Sequence, residues 1–159
     1  MSFNFEFSRN TSEKKQELYK AIEAISCGES DLIANLSNTS AVIKLAYENT
    51  NWVGFYIYKE NELVLGPFQG KPACIRIPLG KGVCGTAAKT QEIQLVPNVH
   101  KFPGHIACDS ASNSEIVLPI MKNGTLFGVL DMDSPSLAYF TEEDKEILSY
   151  AVEAIEKFI

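Results

Sequence analysis

Apolar positions recur along this chain with two different periods, and the change of period divides it into helical and extended segments. Near the N-terminus Leu18, Ile22 and Ile25 fall at helical spacing behind Asn10-Thr11-Ser12-Glu13, which has the form of a capping box. Gly28 stops that helix. Ser30 can cap a second one, whose apolar positions Leu32, Leu36, Ile43 and Tyr47 carry it to about Glu48. Its centre, Asn-Leu-Ser-Asn-Thr-Ser, is a poor helix former, and the pattern predicts loosening there.

From Asn51 the period falls to two. Between Asn51 and Tyr58, alternation puts Trp52, Gly54, Tyr56 and Tyr58 on one face and Val53, Phe55 and Ile57 on the other. Glu60-Asn61 turns the chain into Leu63-Val-Leu65, a hairpin partner. A short strand is expected over Cys74–Ile77, and glycine-rich Leu79–Gly85 opens a short helix from Thr86 to Lys89. Ile93–Val96 is another strand. Ile116–Met121 and Leu126–Asp133 then flank Asn123-Gly124, the strongest short-range hairpin signal in the chain. Pro119 puts the first of these strands at an edge or a bulge. Thr141-x-x-Asp144 caps a last helix with Ile147, Leu148, Ala151, Ile155 and Phe158 on one face. The order α-α-β-β-β-(α)-β-loop-β-β-α predicts an α+β fold, a central antiparallel sheet with helices packed on it. At 159 residues the chain is expected to form one domain over 1–159.

Composition narrows the function. A formal net charge of −6 with scattered lysines lacks the basic footprint that nucleic acid requires. No apolar run reaches the roughly 18–20 residues that cross a bilayer. The opening MSFNFEFSRN lacks the basic head and apolar core of a secretory signal, so a cytoplasmic location without membrane attachment is expected. Cys27, Cys74, Cys84 and Cys108 contain no CxxC pair, which argues against zinc. A reducing cytosol also disfavours a structural disulfide. The thiols are therefore inert and buried, or redox-active.

The stretch Val96–Ile116 concentrates the reactive residues. It holds Cys108, His100 and His105, Asp109 and Glu115, among prolines, glycine and a Ser/Asn-rich run that exclude regular structure. A loop of roughly 18 residues is long for a compact domain and points to function. Val99, Phe102 and Ile106 supply apolar anchors that would keep it ordered. Asp131 and Asp133 lie two apart on a strand, so both carboxylates share a face, and Glu115 begins the neighbouring strand. Three carboxylates beside Trp52 and Tyr56 suit a small ligand bearing an ammonium group; solvated strand ends are the bland alternative. Cys108 precedes an acid, which raises a thiol pKa, and His105 three residues earlier can assist it or simply satisfy loop backbone. Cys84 is a candidate partner thiol if the two Cα atoms approach to under ~7 Å.

At this point several segments resemble one known family. LGPFQGKPAC (Leu65–Cys74), LGKGVCG (Leu79–Gly85), FPGHIACDSASNSEIVLP (Phe102–Pro119) and GVLDMDSP (Gly128–Pro135) are similar to those of the free methionine-(R)-sulfoxide reductases, single-domain GAF proteins. The resemblance runs from about Leu18 to the last helix. It implies a Cys108 nucleophile, Cys84 as principal resolving thiol, Cys74 as auxiliary thiol, and a substrate pocket of Trp52, Tyr56, Glu115, Asp131 and Asp133. It further implies free methionine sulfoxide as substrate, a Cys84–Cys108 disulfide reduced by thioredoxin, no metal or organic cofactor, and a homodimer. Neither Cys27 nor His105 receives a role from it. The rival from another class is a GAF module that senses a small molecule without catalysis, since a fold does not fix a function.

Overall fold

The computed structural model describes residues 3–106 and 108–159. Helix α1 spans Thr11–Ser26, started by the Asn10 side chain, which accepts a bond from the Glu13 N–H at 3.1 Å. Helix α2 spans Leu32–Ala46 and is capped by Asp31 rather than Ser30, through a 2.8 Å bond from the Ala34 N–H. It runs unbroken through the expected weak centre. There the polar side chains turn back on the helix: Ser37 Oγ donates to the Ile33 carbonyl and Ser40 Oγ to that of Ser37. Ser40 packs inside the protein on that bond and Asn35 on one from its Nδ2 to the Glu29 carbonyl, whereas Thr39 Oγ1 is buried with no hydrogen-bond partner among the described residues.

Six strands follow: β1 Trp52–Lys59, β2 Glu62–Gly70, β3 Arg76–Pro78, β4 Gln94–Val96, β5 Ser114–Lys122 and β6 Thr125–Ser134. They form one antiparallel sheet in the order β3-β2-β1-β6-β5-β4. Helix α3, Gly82–Thr90, lies between β3 and β4 in the chain, and α4, Glu142–Glu156, closes it behind a complete Thr141/Asp144 capping box. Both tight hairpins carry positive φ at their two central residues, 52° and 66° at Glu60-Asn61 and 50° and 77° at Asn123-Gly124. That is the primed turn whose twist matches the strands. Pro119 lies in β5 beyond the stretch covered by the short β4, which ends its pairing at Val117, so its missing N–H costs nothing on that side. The ladder with β6 shifts register just after it, between Ile120 and Met121.

The α+β prediction holds, with two local differences. β3 starts at Arg76, leaving Cys74 and Ile75 outside the regular strand, and α3 starts at Gly82, four residues before the expected Thr86. Each face of the sheet has its own core. Val53, Phe55, Ile116, Leu118, Ile120, Leu130 and Met132 pack against α1, α2 and α4. Trp52, Tyr56, Val117 and Val129 face the other way, toward the small residues Val83, Cys84, Ala87 and Ala88 of α3. No helix among the described residues is long and apolar enough to cross a membrane.

Candidate active site

The site grows out of strand register. On β6, Asp133 sits across from Trp52 of β1 and from Glu115 of β5, while Asp131 sits across from Gly54 and Val117. Because alternate residues share a face, Trp52, Glu115, Asp131 and Asp133 all project toward α3. The first turn of α3 lies over them and brings the Cys84 Sγ to 3.8 Å from Glu115 Oε1. One donor atom each from Cys84, Glu115 and Asp131 fits within 4.8 Å.

An aromatic stack makes one wall. The Trp52 ring lies 5.1 Å from Phe68 and 5.8 Å from Tyr56, nearly parallel to both. Its Nε1 donates to the Lys71 carbonyl at 3.1 Å, and the Tyr56 hydroxyl donates to the Cys74 carbonyl at 2.9 Å. The indole fits because its neighbours lack side chains: a Cβ at Gly54 would stand 2.7 Å from it and one at Gly70 2.6 Å.

Two irregular segments form the rim. The Cys108 segment is pinned by Asn51, whose Nδ2 donates to Asp109 Oδ2 at 3.1 Å and to Ser112 Oγ at 3.0 Å. The Ala111 N–H donates to Asp109 Oδ1, and that bond, followed by the one from Asn51, holds the Asp109 carboxyl below its usual range. Lys71, 3.9 Å from Asp109, ties in the second segment. That segment carries Cys74, which forms a disulfide with Cys108 across a Cα separation of 5.7 Å. The pairing expected between Cys84 and Cys108 is thus replaced by Cys74–Cys108, and Cys84 is a free buried thiol. The reason is local. With β3 starting late, Cys74 stands on a connecting segment level with the Cys108 loop, whereas the early start of α3 turns Cys84 down onto the carboxylates.

The cavity so enclosed holds about 520 Å3 of open space, including its mouth; Trp52, Tyr56, Cys84, Cys108 and the three carboxylates are among its lining residues. Glu115 and Asp131 are each only 6% exposed. Burial, reinforced by the charges of Asp131 and Asp133, lifts the Glu115 carboxyl well above the ordinary range. Burial and the charge of Asp131 do the same to Asp133, and burial pushes Asp131 up to about 6. Burial followed by the charge of Asp131 also raises the Cys84 thiol. Lys81 is the one Lys or Arg in the lining, and His105, 3.8 Å from Glu115 Oε2, is itself kept neutral by burial. Glu115 and Asp133 are therefore the carboxyls that keep their protons toward neutral pH, while Asp131 is the one of the three that ionises there. Cys84, Glu115 and Asp131 could in principle ligate a metal, but the same burial favours their protonated forms and so opposes it.

This arrangement has known counterparts. A GAF domain model matches residues 32–159. The free methionine-R-sulfoxide reductase of Escherichia coli is 47% identical over 150 residues, spanning 94% of this chain and 91% of that protein. The chain belongs to the free methionine-R-sulfoxide reductases of the GAF family. A second member, from Saccharomyces cerevisiae, is 46% identical over 162 residues and covers 97% of this chain and 90% of that one. The X-ray structure of the free methionine-R-sulfoxide reductase from Neisseria meningitidis in complex with its substrate superposes at a TM-score of 0.92 and 43% identity, over 99% of this chain and 94% of that chain.

Of the candidate residues, Trp52, Tyr56, Cys84, His105, Cys108, Asp109, Glu115, Asp131 and Asp133 line this cavity, Cys74 is joined to it through Cys108, and His100, whose ring bonds Asn113, and the exposed Cys27 do not line it. Sequence reasoning missed Asn51, the clamp on the Cys108 loop, because a lone polar residue before a strand gives no signal. It also missed the start of α3. No side chain caps that helix, and Lys81, Gly82 and Val83 line the cavity, so the positive end of the helix faces the pocket. The glycine-rich Gly80-Lys81-Gly82 was the available sign.

Proposed function

We propose that this protein reduces free methionine-R-sulfoxide to methionine, with Cys108 as the attacking thiolate. The observation that carries the reading is the position of the Cys108 disulfide, at the wall of a cavity floored by protonated carboxyls. Cys108 attacks the sulfoxide sulfur while a neutral carboxylic acid, Glu115 or Asp133, gives a proton to the sulfoxide oxygen. Methionine leaves, and Cys108 retains the oxygen as a sulfenic acid. The Cys74 thiol condenses with it, losing water and forming the Cys74–Cys108 bridge. This assigns resolution to Cys74 and leaves Cys84 to pack beneath the substrate and share its hydrogen with Glu115.

The Trp52 face receives the S-methyl group, with Tyr56 behind it. Asp131 holds the substrate ammonium, and the start of α3 with Lys81 holds the carboxylate. Recognition of both charged ends selects the free amino acid, since a residue inside a peptide has neither. The bridge returns to two thiols by exchange with a protein dithiol such as thioredoxin. We take the working form to be one cytoplasmic domain, paired as a homodimer through the N-terminal helices, where Ile33 and Leu45 are exposed; a monomer mass in sedimentation would refute the pairing.

A coupled assay with thioredoxin, its reductase and NADPH tests the activity. Turnover is expected with the free R epimer and absent with the S epimer and with an N-acetylated, C-amidated methionine sulfoxide. The Cys108→Ser variant should lose turnover altogether. Activity surviving that change would remove Cys108 as the nucleophile.

A further inference from the structure

The two sulfurs of the bridge stand in different places. Cys108 belongs to the cavity wall, together with Pro72 and Ala73 from the opposite segment, whereas Cys74 itself does not line the cavity. The bond therefore runs from the cavity outward through the rim. Cys74 is followed by Ile75, whose side chain is 71% exposed, the largest exposure of any bulky apolar residue among those described. That side chain is not on a slack tail: the Ile75 carbonyl accepts from the Leu65 N–H at 2.9 Å, which fixes the backbone that displays it. An exposed isoleucine beside a disulfide that must be opened in every catalytic cycle is an unpartnered contact placed where a reductant has to come.

From this geometry we infer that a small protein dithiol carrier docks over Ile75 on the outer side of the rim and that its thiolate attacks the sulfur of Cys74, expelling Cys108. The inference rests on the reading of Cys108 as nucleophile. Thiol–disulfide exchange is an in-line displacement, with the entering thiolate opposite the leaving sulfur. To attack Cys108 in line, a carrier would have to present its cysteine from the cavity side, within a space suited to a single amino acid. To attack Cys74 it needs only to approach from solvent along the outer end of the bond. The carrier thiolate forms a bond to Cys74 Sγ as the Cys74–Cys108 bond breaks, and Cys108 leaves as a thiolate into the cavity. The carrier's second thiolate then attacks its own first sulfur and releases Cys74. Two electrons pass to the protein, the carrier ends as a disulfide, and Cys74 takes up a proton from water. The nucleophile is thereby freed in the first of the two exchanges, already facing the next substrate.

The test uses the full chain with Cys27→Ser, which removes the exposed free thiol. The protein is oxidised by one equivalent of methionine-R-sulfoxide, and its bridge is mapped by peptide mass spectrometry. It is then mixed with a thioredoxin whose second active-site cysteine is serine, quenched in acid at the earliest times and alkylated. The expected product carries thioredoxin on Cys74 and the alkyl label on Cys108. Thioredoxin on Cys108 or Cys84 overturns the inference. A first map without a Cys74–Cys108 bridge instead sinks the reading beneath it, and the two failures are told apart by that map. As a second measurement, Ile75→Ser should lower kcat/KM for thioredoxin about tenfold, the scale of one lost aliphatic contact, while turnover with dithiothreitol stays unchanged. No change with thioredoxin, or an equal loss with both reductants, overturns the docking site.

Discussion

Leu130 and Met132 leave β6 on one side of the sheet, Asp131 and Asp133 on the other, and all but Asp133 are almost completely enclosed. What differs is the company they keep. The first pair meets methyl and methylene groups from α1, α2 and α4, so burial there simply removes apolar surface from water. The second pair meets Glu115, the Cys84 thiol and the Ser112 hydroxyl, so burial there removes ionisable groups from water without a counter-charge in contact. One face lowers the free energy of the fold, and the other raises it to keep protons on carboxyls. A strand with a period of two can serve both ends because neighbouring residues never share a face.

The largest expected break of this contrast comes from changing a proton without changing shape. Glu115→Gln keeps the volume and much of the hydrogen bonding but cannot give up a proton. If Glu115 is the donor, kcat should fall by roughly 10²–10⁴, the usual worth of a positioned general acid. The pH profile sharpens the point. Because the carboxyl is raised above its ordinary range, the wild-type rate should fall on the alkaline side as that proton is lost, and the variant should lack that limb. A loss under tenfold, with the limb intact, would move the role to Asp133.

How much of this contrast was readable beforehand depends on the range of the interaction. The alternation in Trp52–Tyr58 and Val129–Asp133 assigned both faces correctly, because period and register are local properties; Phe127, expected on the face of Val129, packs on the other side, where the ladder with β5 shifts register. The hairpins at Glu60-Asn61 and Asn123-Gly124, the Pro119 edge and the Thr141 cap were legible for the same reason. What escaped was decided between segments. Whether Cys108 meets Cys74 or Cys84 depends on where β3 and α3 begin, and neither start has a sharp signal: Ile75-Arg76-Ile77 favours extension throughout, and Gly82 is a weak helix former that starts α3 only with φ at +62°. The absence of loosening in α2 likewise came from Ser37 and Ser40 bonding back to the helix, which propensity alone does not register.

On the apolar face the prediction is a loss of stability with chemistry retained. Leu130→Ala should destabilise the protein by about 2–5 kcal/mol, the range for emptying a buried leucine site. Its urea midpoint should fall with an unchanged slope, while kcat at temperatures well below unfolding stays within about twofold of wild type. A large fall in kcat in the folded variant would mean that the two faces are coupled through β6, and the contrast would fail.

The smallest effect has the opposite sign, and it tests the site face directly. Asp131 has a folded-state pKa of about 6, above its ordinary value of 3.8, so the folded protein binds more protons than the unfolded chain between those values. Stability must then decrease as pH rises through that window, the reverse of a salt-bridged carboxylate. Asn mimics the protonated acid at every pH. Asp131→Asn should therefore stabilise the substrate-free protein by about 1–3 kcal/mol at pH 7.5, from a shift of roughly two units at ~1.4 kcal/mol each, and hardly at all at pH 4. Thermal unfolding at the two pH values measures this, with a rise of several degrees expected only at the higher one. If the wild type instead gains stability relative to the variant as pH rises, Asp131 has a cationic partner after all, Lys81 being the nearest candidate in the lining, and the trio would be a conventional ion-pair site rather than a reservoir of protons.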